Sequence, residues 1–179
     1  IDYRPATGQL YGLGSTSRLY IINEVSGLAT PIGAASFSPQ IEGTSSSIDF
    51  NPTVDRIRLV SNNGQNLRLH PELGTVVATD GSINGVANAR IEAIGYTNSF
   101  AGTTSTLLYD IDYATDKLYV QNPPNDGGLQ EVGALEVDFE GVGGLDILPD
   151  SNYAMAVNNK SNESRLYTIS LITGKATWI

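Results

Sequence analysis

Three aspartates hold one position in a recurring phrase: Asp2 in IDYRP, Asp49 in IDFNP and Asp146 in LDILP, with Gly95 at the matching point of IGYTN. Carboxylates at one level of a repeated element could ring a hard cation, since calcium is held by a shell of oxygens. The competing use is structural: an Asp that accepts backbone N–H groups of an adjoining turn or repeat recurs because the repeat recurs. A second set, Asp110, Asp112 and Asp116, lies in DIDYATD. Asp110 and Asp112 would share one strand face, and a turn could carry Asp116 back toward Asp112. This set lacks the full spacing and the glycine of a helical calcium loop, and Asp at a strand-to-turn junction is ordinary turn chemistry. Either trio is a speculative calcium site, and no cofactor beyond a structural calcium is expected.

Catalytic groups are scarcer. His70 is the single histidine, at the end of NLRLH and just before Pro71, where the first repeat has Ile22 or Asn23. A Ser–His–Asp arrangement would depend on it alone. With one histidine and no cysteine, an imidazole or thiolate metal site cannot assemble without several carboxylates. GLGSTS (12–17) resembles a phosphate loop but joins two strands, so it lacks the helix N-terminus such loops use. The Asn162–Ser164 glycosylation-type triplet is short enough to arise by chance. NPPNDGG (122–128) is rigid and then flexible; it could present a binding surface or simply join unequal strands. No catalytic residue is assigned.

The elements that carry these residues follow from a repeat. Ile1, Ile48, Ile94 and Leu145 open its four copies, at intervals of 47, 46 and 51 residues. Units of that length cannot close a core alone and must stack on their neighbours. Within each unit the apolar spacing is two: QLYGLGS and RLYIIN, RIRLVSN and NLRLH, TLLYDID and KLYVQN, YAMAVNN and RLYTISL. ATPIG, TVVATD, LQEVG and KATWI supply a last short strand, with turn signals such as VSGL, SNNGQ and LITGK between. Tyr11, Tyr20, Tyr109, Tyr119 and Tyr167 recur at the Leu-Tyr phase, as expected of packing positions with a wet hydroxyl end.

Four strands per unit predict an all-β protein: a β-propeller of four blades at about 1–36, 46–81, 91–137 and 143–179, in one domain spanning 1–179. A β-sandwich of duplicated meanders is the alternative. Each blade uses consecutive strands, so none is left to interlock the first with the last. Ring closure then rests on side-chain packing, or on an upstream segment that adds strands or a partial fifth blade; the second is favoured.

Ten basic residues against nineteen acidic ones give a formal charge of −9, which repels phosphate backbones and anionic lipid. Nucleic-acid and membrane-surface roles are therefore not expected, and no apolar run is long enough to span a bilayer. The chain begins at Ile rather than Met, so any targeting segment would precede it.

IDYRPATGQLYGLGSTSRLYIIN, IDFNPTVDRIRLVSNNGQNLRLHPELG, TNSFAGTTSTLLYDID and QNPPNDGGLQEVGAL together resemble a bacterial family of secreted or envelope domains catalogued as a domain of unknown function. The resemblance spans essentially the whole chain. It implies a periplasmic or extracellular location and a further Leu-Tyr-Ala-Leu-like segment upstream, and it brings no activity or site residues. The expected function is a non-enzymatic exported binding or scaffold domain with a protein partner, or an accessory subunit of an envelope assembly. Two alternatives stand beside it: a calcium-dependent hydrolase or lactonase-like propeller, and an architectural repeat of a larger surface protein or adhesin.

Overall fold

The computed structural model describes residues 1–179. It is all-β, with sixteen strands in four antiparallel meanders. Blade 1 holds β1 (Asp2–Tyr3), β2 (Leu10–Gly14), β3 (Arg18–Ile22) and β4 (Ala29–Pro31). Blade 2 holds β5 (Ser46–Asn51), β6 (Arg56–Ser61), β7 (Asn66–His70) and β8 (Thr75–Thr79). Blade 3 holds β9 (Ile91–Tyr96), β10 (Leu108–Asp112), β11 (Lys117–Gln121) and β12 (Leu129–Ala134). Blade 4 holds β13 (Gly144–Ile147), β14 (Ala154–Lys160), β15 (Glu163–Ile169) and β16 (Ala176–Trp178). The four sheets form a four-bladed β-propeller, with each sheet built from consecutive strands.

Period-two patterning decides which side chains meet across each seam. In blade 2, Ile48, Phe50, Ile57, Leu59, Leu67 and Leu69 project toward blade 1, where Tyr11 and Leu19 complete a buried cluster. Tyr11 meets Phe50 edge to face at 5.1 Å. The alternate residues face blade 3, and Val60 joins Ile94, Tyr96, Leu108 and Tyr119 in a second cluster. Between blades 3 and 4, Ala93, Ile111, Leu118, Phe139, Ile147 and Tyr167 form the third. Each large aliphatic or aromatic side chain removed from water contributes about 1.5–3 kcal/mol, so these three seams hold the sheets together. No sheet shields both its faces alone.

Blade 3 also locks to blade 4 by backbone. Ala176 N donates to Leu135 O at 2.9 Å, and Gly133 lies so close to the β15–β16 turn that a Cβ there would overlap the Thr173 carbonyl. Between the fourth and first blades there is no such buried cluster. There a cavity of about 530 Å³ is lined by Ile1 and Leu13 of blade 1, Ile48 of blade 2, and Val142 and Leu145 beside and within blade 4. Ile1, Tyr3 and Leu166 stay exposed (80, 48 and 41 %). No helix of the structure is long and apolar enough to cross a membrane.

Candidate functional site

The inner strands β1, β5 and β13 bring Asp2, Asp49 and Asp146 to the axis, where a carboxylate oxygen of each lies within 4.8 Å of the others. The two more buried members are spoken for. Asp2 Oδ2 accepts the Phe50 N–H at 2.7 Å and Asp49 Oδ1 accepts the Tyr96 N–H at 3.2 Å, so each carboxylate ties its blade to the inner strand of the next. Ser47 repeats the device through its hydroxyl, which accepts the Ile94 N–H at 3.2 Å. Asp146 is exposed and makes no such bond. At Gly95, the missing fourth carboxylate, Leu145 and Ile147 side chains occupy the space a Cβ would enter.

Burial of Asp2 and Asp49 beside the axis disfavours their ionised forms. Burial, with Asp146 nearby, pushes Asp2 up to about 6, and burial with Asp2 nearby holds Asp49 well above the usual carboxylate range. The residues that could hold a hard cation are these three, through the oxygens the backbone bonds leave over.

The second trio is not gathered. Asp110 is fully buried in the seam between blades 2 and 3, its two oxygens without a hydrogen-bond partner, and burial raises its pKa well above the usual value. Asp112 caps a turn: Oδ1 accepts Arg90 N at 2.7 Å and Ala114 N at 2.9 Å, and Oδ2 accepts the Thr115 hydroxyl at 2.7 Å. Asp116, at φ 51°, accepts Phe139 N at 2.8 Å. His70 closes β7 at the blade edge, and its Nδ1 accepts Glu72 N at 3.3 Å.

The largest polar constellation was not singled out by sequence reasoning. Arg58, at the middle of β6 and 2 % exposed, donates through Nη1 to Asn66 Oδ1 (2.8 Å) and Asp80 Oδ2 (2.6 Å). Its Nη2 reaches Asn125 Oδ1 at 2.7 Å, in the NPPNDGG segment of blade 3, and its Nε the Tyr96 hydroxyl at 3.4 Å. Arg68 takes both Asp80 oxygens at 2.7 and 2.9 Å. The segment itself is pinned to blade 2: Asn66 Nδ2 donates to Pro124 O at 3.0 Å, and Gly81 N to Asn125 O at 2.9 Å. A loop that composition left between binding surface and connector is thus a clasp across a seam. Arg4 acts similarly between blades 1 and 2, donating to Asp55, Glu72 and the Tyr11 hydroxyl. The signal for these clasps was an Arg alternating with Ile and Leu in a strand whose second face is also covered.

The chain belongs to the family described as Domain of unknown function (DUF4394), whose model matches residues 1–179. No curated protein matches it. Among solved structures it is similar to PorZ of Porphyromonas gingivalis, described as an essential bacterial surface component of the type-IX secretion system. The TM-score is 0.53 at 11% identity, and the alignment covers 98% of this chain and 21% of that one. The likeness is one of fold, and the chain spans about a fifth of that protein's length.

Proposed function

We propose that this member of a family of unknown function is an exported bacterial scaffold, non-enzymatic, which offers a rigid propeller face to a protein partner within an envelope assembly. The observation that carries this reading is where the strongest polar groups are used. Arg4, Arg58, Asp2, Asp49 and Asn125 bond from one blade to the next, so their chemistry fixes blade against blade. A frame tied this way holds its rim loops in one arrangement, and pre-organisation of that kind limits the ordering cost of binding a partner. A propeller also occurs in PorZ, described as a secretion-system surface component, which supports an envelope setting.

The test is in-cell cross-linking of the tagged chain in its source bacterium, followed by recovery from the envelope fraction. One defined protein should be held in constant ratio to the tagged chain. Recovery of the chain alone, from the cytoplasm, would contradict the proposal.

A calcium-dependent enzyme is the second reading, and the convergence of Asp2, Asp49 and Asp146 is what favours it. It requires a metal-dependent rise in melting temperature, since a cation bound only by the folded state stabilises that state.

A further inference from the structure

Three arginines gather on one face of blade 2. Arg56 and Arg58 stand two residues apart on β6, and Arg58 pairs directly with Arg68 across the β6–β7 ladder. Three guanidinium groups therefore share one sheet face. Like charges set opposite each other in a sheet repel, and Asp80 is the one carboxylate bonded to them, through Arg58 and Arg68. Arg56 has no ion pair; its Nη1 donates to the carbonyls of Val54 at 3.5 Å and Asp55 at 2.7 Å. Three cations stand against one bonded carboxylate, with Asp55 close enough to feel the charge of Arg56 and Asp110 that of Arg58, within a chain whose formal charge is −9.

These arginines line a cavity of about 130 Å³, together with Asn51, Tyr96 and Asn125. Asn51, Tyr96 and Pro124 also line a neighbouring cavity of about 300 Å³, so the two are adjacent on the rim where β5 and β9 end. The walls of the second are uncharged and mixed, with Thr53, Thr104, Ser105, Thr106 and Asn122 beside Leu107 and Leu108. Hydroxyl and amide groups of this kind suit a peptide backbone, whereas the smaller cavity, lined by the three arginines, has room for an acidic side chain.

We propose that the Arg56–Arg58–Arg68 cavity binds a carboxylate, presented as the acidic side chain of an extended peptide segment lying along the adjoining groove. The guanidinium fork matches a carboxylate with two parallel N–H···O bonds, and Arg keeps its charge at every physiological pH. Asp80 holds Arg58 and Arg68 in place, and Arg56 supplies a guanidinium that no protein carboxylate hydrogen-bonds. The assignment goes beyond the scaffold proposal by naming the chemistry of a partner segment, and it can fail while that proposal stands.

The experiment is calorimetric titration at fixed ionic strength with four probes: the blocked peptide acetyl-Gly-Glu-Gly-amide, its Gln counterpart, succinate and inorganic phosphate. The Glu peptide should bind and the Gln peptide should not. Arg56→Gln should weaken binding at least tenfold, and Arg56→Lys, which keeps charge but loses the fork, should weaken it less. Lys160→Gln, in blade 4, serves as a distant control and should change nothing. Melting curves without probe establish that each variant is folded. Binding of succinate without the Glu peptide keeps the carboxylate site and assigns it to a free dicarboxylate, overturning the peptide. Equal binding of the Glu and Gln peptides, tighter binding of phosphate than of either carboxylate, no binding of any probe, or no effect of Arg56→Gln would each overturn the proposal.

Discussion

Arg58→Ala should destabilise the propeller by about 3–5 kcal/mol, the range for removing one partner from a buried ion pair. For a domain of this size that is a fall in melting temperature of roughly 10 °C or more. The loss is large because one side chain answers four groups. Without it, Asn66 and Asn125 lose the donor to their amide oxygens, the Tyr96 hydroxyl loses its guanidinium neighbour, and Asp80 keeps Arg68 alone. Each buried polar group left unpaired costs about 1–3 kcal/mol. Arg68→Ala, at a side chain 31% exposed, leaves Asp80 paired with Arg58 and should cost about 1 kcal/mol. Thermal or urea melts of the two variants against the parent check both values. Equal, small losses would mean that Arg58 does not tie blade 2 to blade 3.

The second large effect has the opposite sign. Asp2→Asn should stabilise the protein at pH 7 and leave it nearly unchanged at pH 3. The Asp2 carboxyl is raised from 3.8 to about 6 in the fold, chiefly by burial. Below about pH 3 the acid is largely protonated in both states, so folding carries no ionisation penalty. As pH rises toward 6 the unfolded chain ionises first, the folded state holds the proton, and stability declines; above 6 the penalty is complete. A rise from 3.8 to about 6 corresponds to about 3 kcal/mol. Asparagine retains an oxygen to accept the Phe50 N–H and carries no charge, so the variant should lack this decline. Asp49, raised in the same direction, should behave likewise on Asp49→Asn. Melting temperatures across pH 3–8 read the effect. Repeating the series with calcium addresses the second functional reading, because a cation among the three carboxylates would remove the penalty in the parent and leave Asp2→Asn nearly insensitive to the metal.

How much of this was legible in the residues differs from one element to the next. The inner strands were readable, because Ile48-Asp49-Phe50 repeats Ile1-Asp2-Tyr3 and nothing but a repeated sheet explains that spacing. The structural use of the aspartates, as acceptors for a neighbouring unit's backbone, was among the sequence-level readings, and Asp2 and Asp49 show it. That Asp110, Asp112 and Asp116 would part company was not visible. Asp112 and Asp116 turn to backbone N–H groups of different segments, and Asp110 faces blade 2, partners set by tertiary packing and not by spacing. Arg58 was missed for a related reason. Arg-Ile-Arg-Leu reads as a strand with one wet face until the neighbouring blade covers that face, and its acceptors come from positions 66, 80 and 125.

The central claim is that four repeats converge on one axis and set the first inner strand beside the last. The chain contains no cysteine, so a pair introduced by Asp2→Cys and Asp146→Cys would be unique in it. The carboxylate oxygens they replace lie within 4.8 Å. Under mild oxidation, or with a short bis-maleimide, the folded double variant should form an intramolecular link in nearly every molecule, seen as faster migration in a denaturing gel and as one linked peptide by mass spectrometry. Asp2→Cys paired with Val25→Cys, at a residue 99% exposed on the outer edge of blade 1, should not link. Failure of the axial pair to link in folded protein would contradict the propeller and every site argued from it.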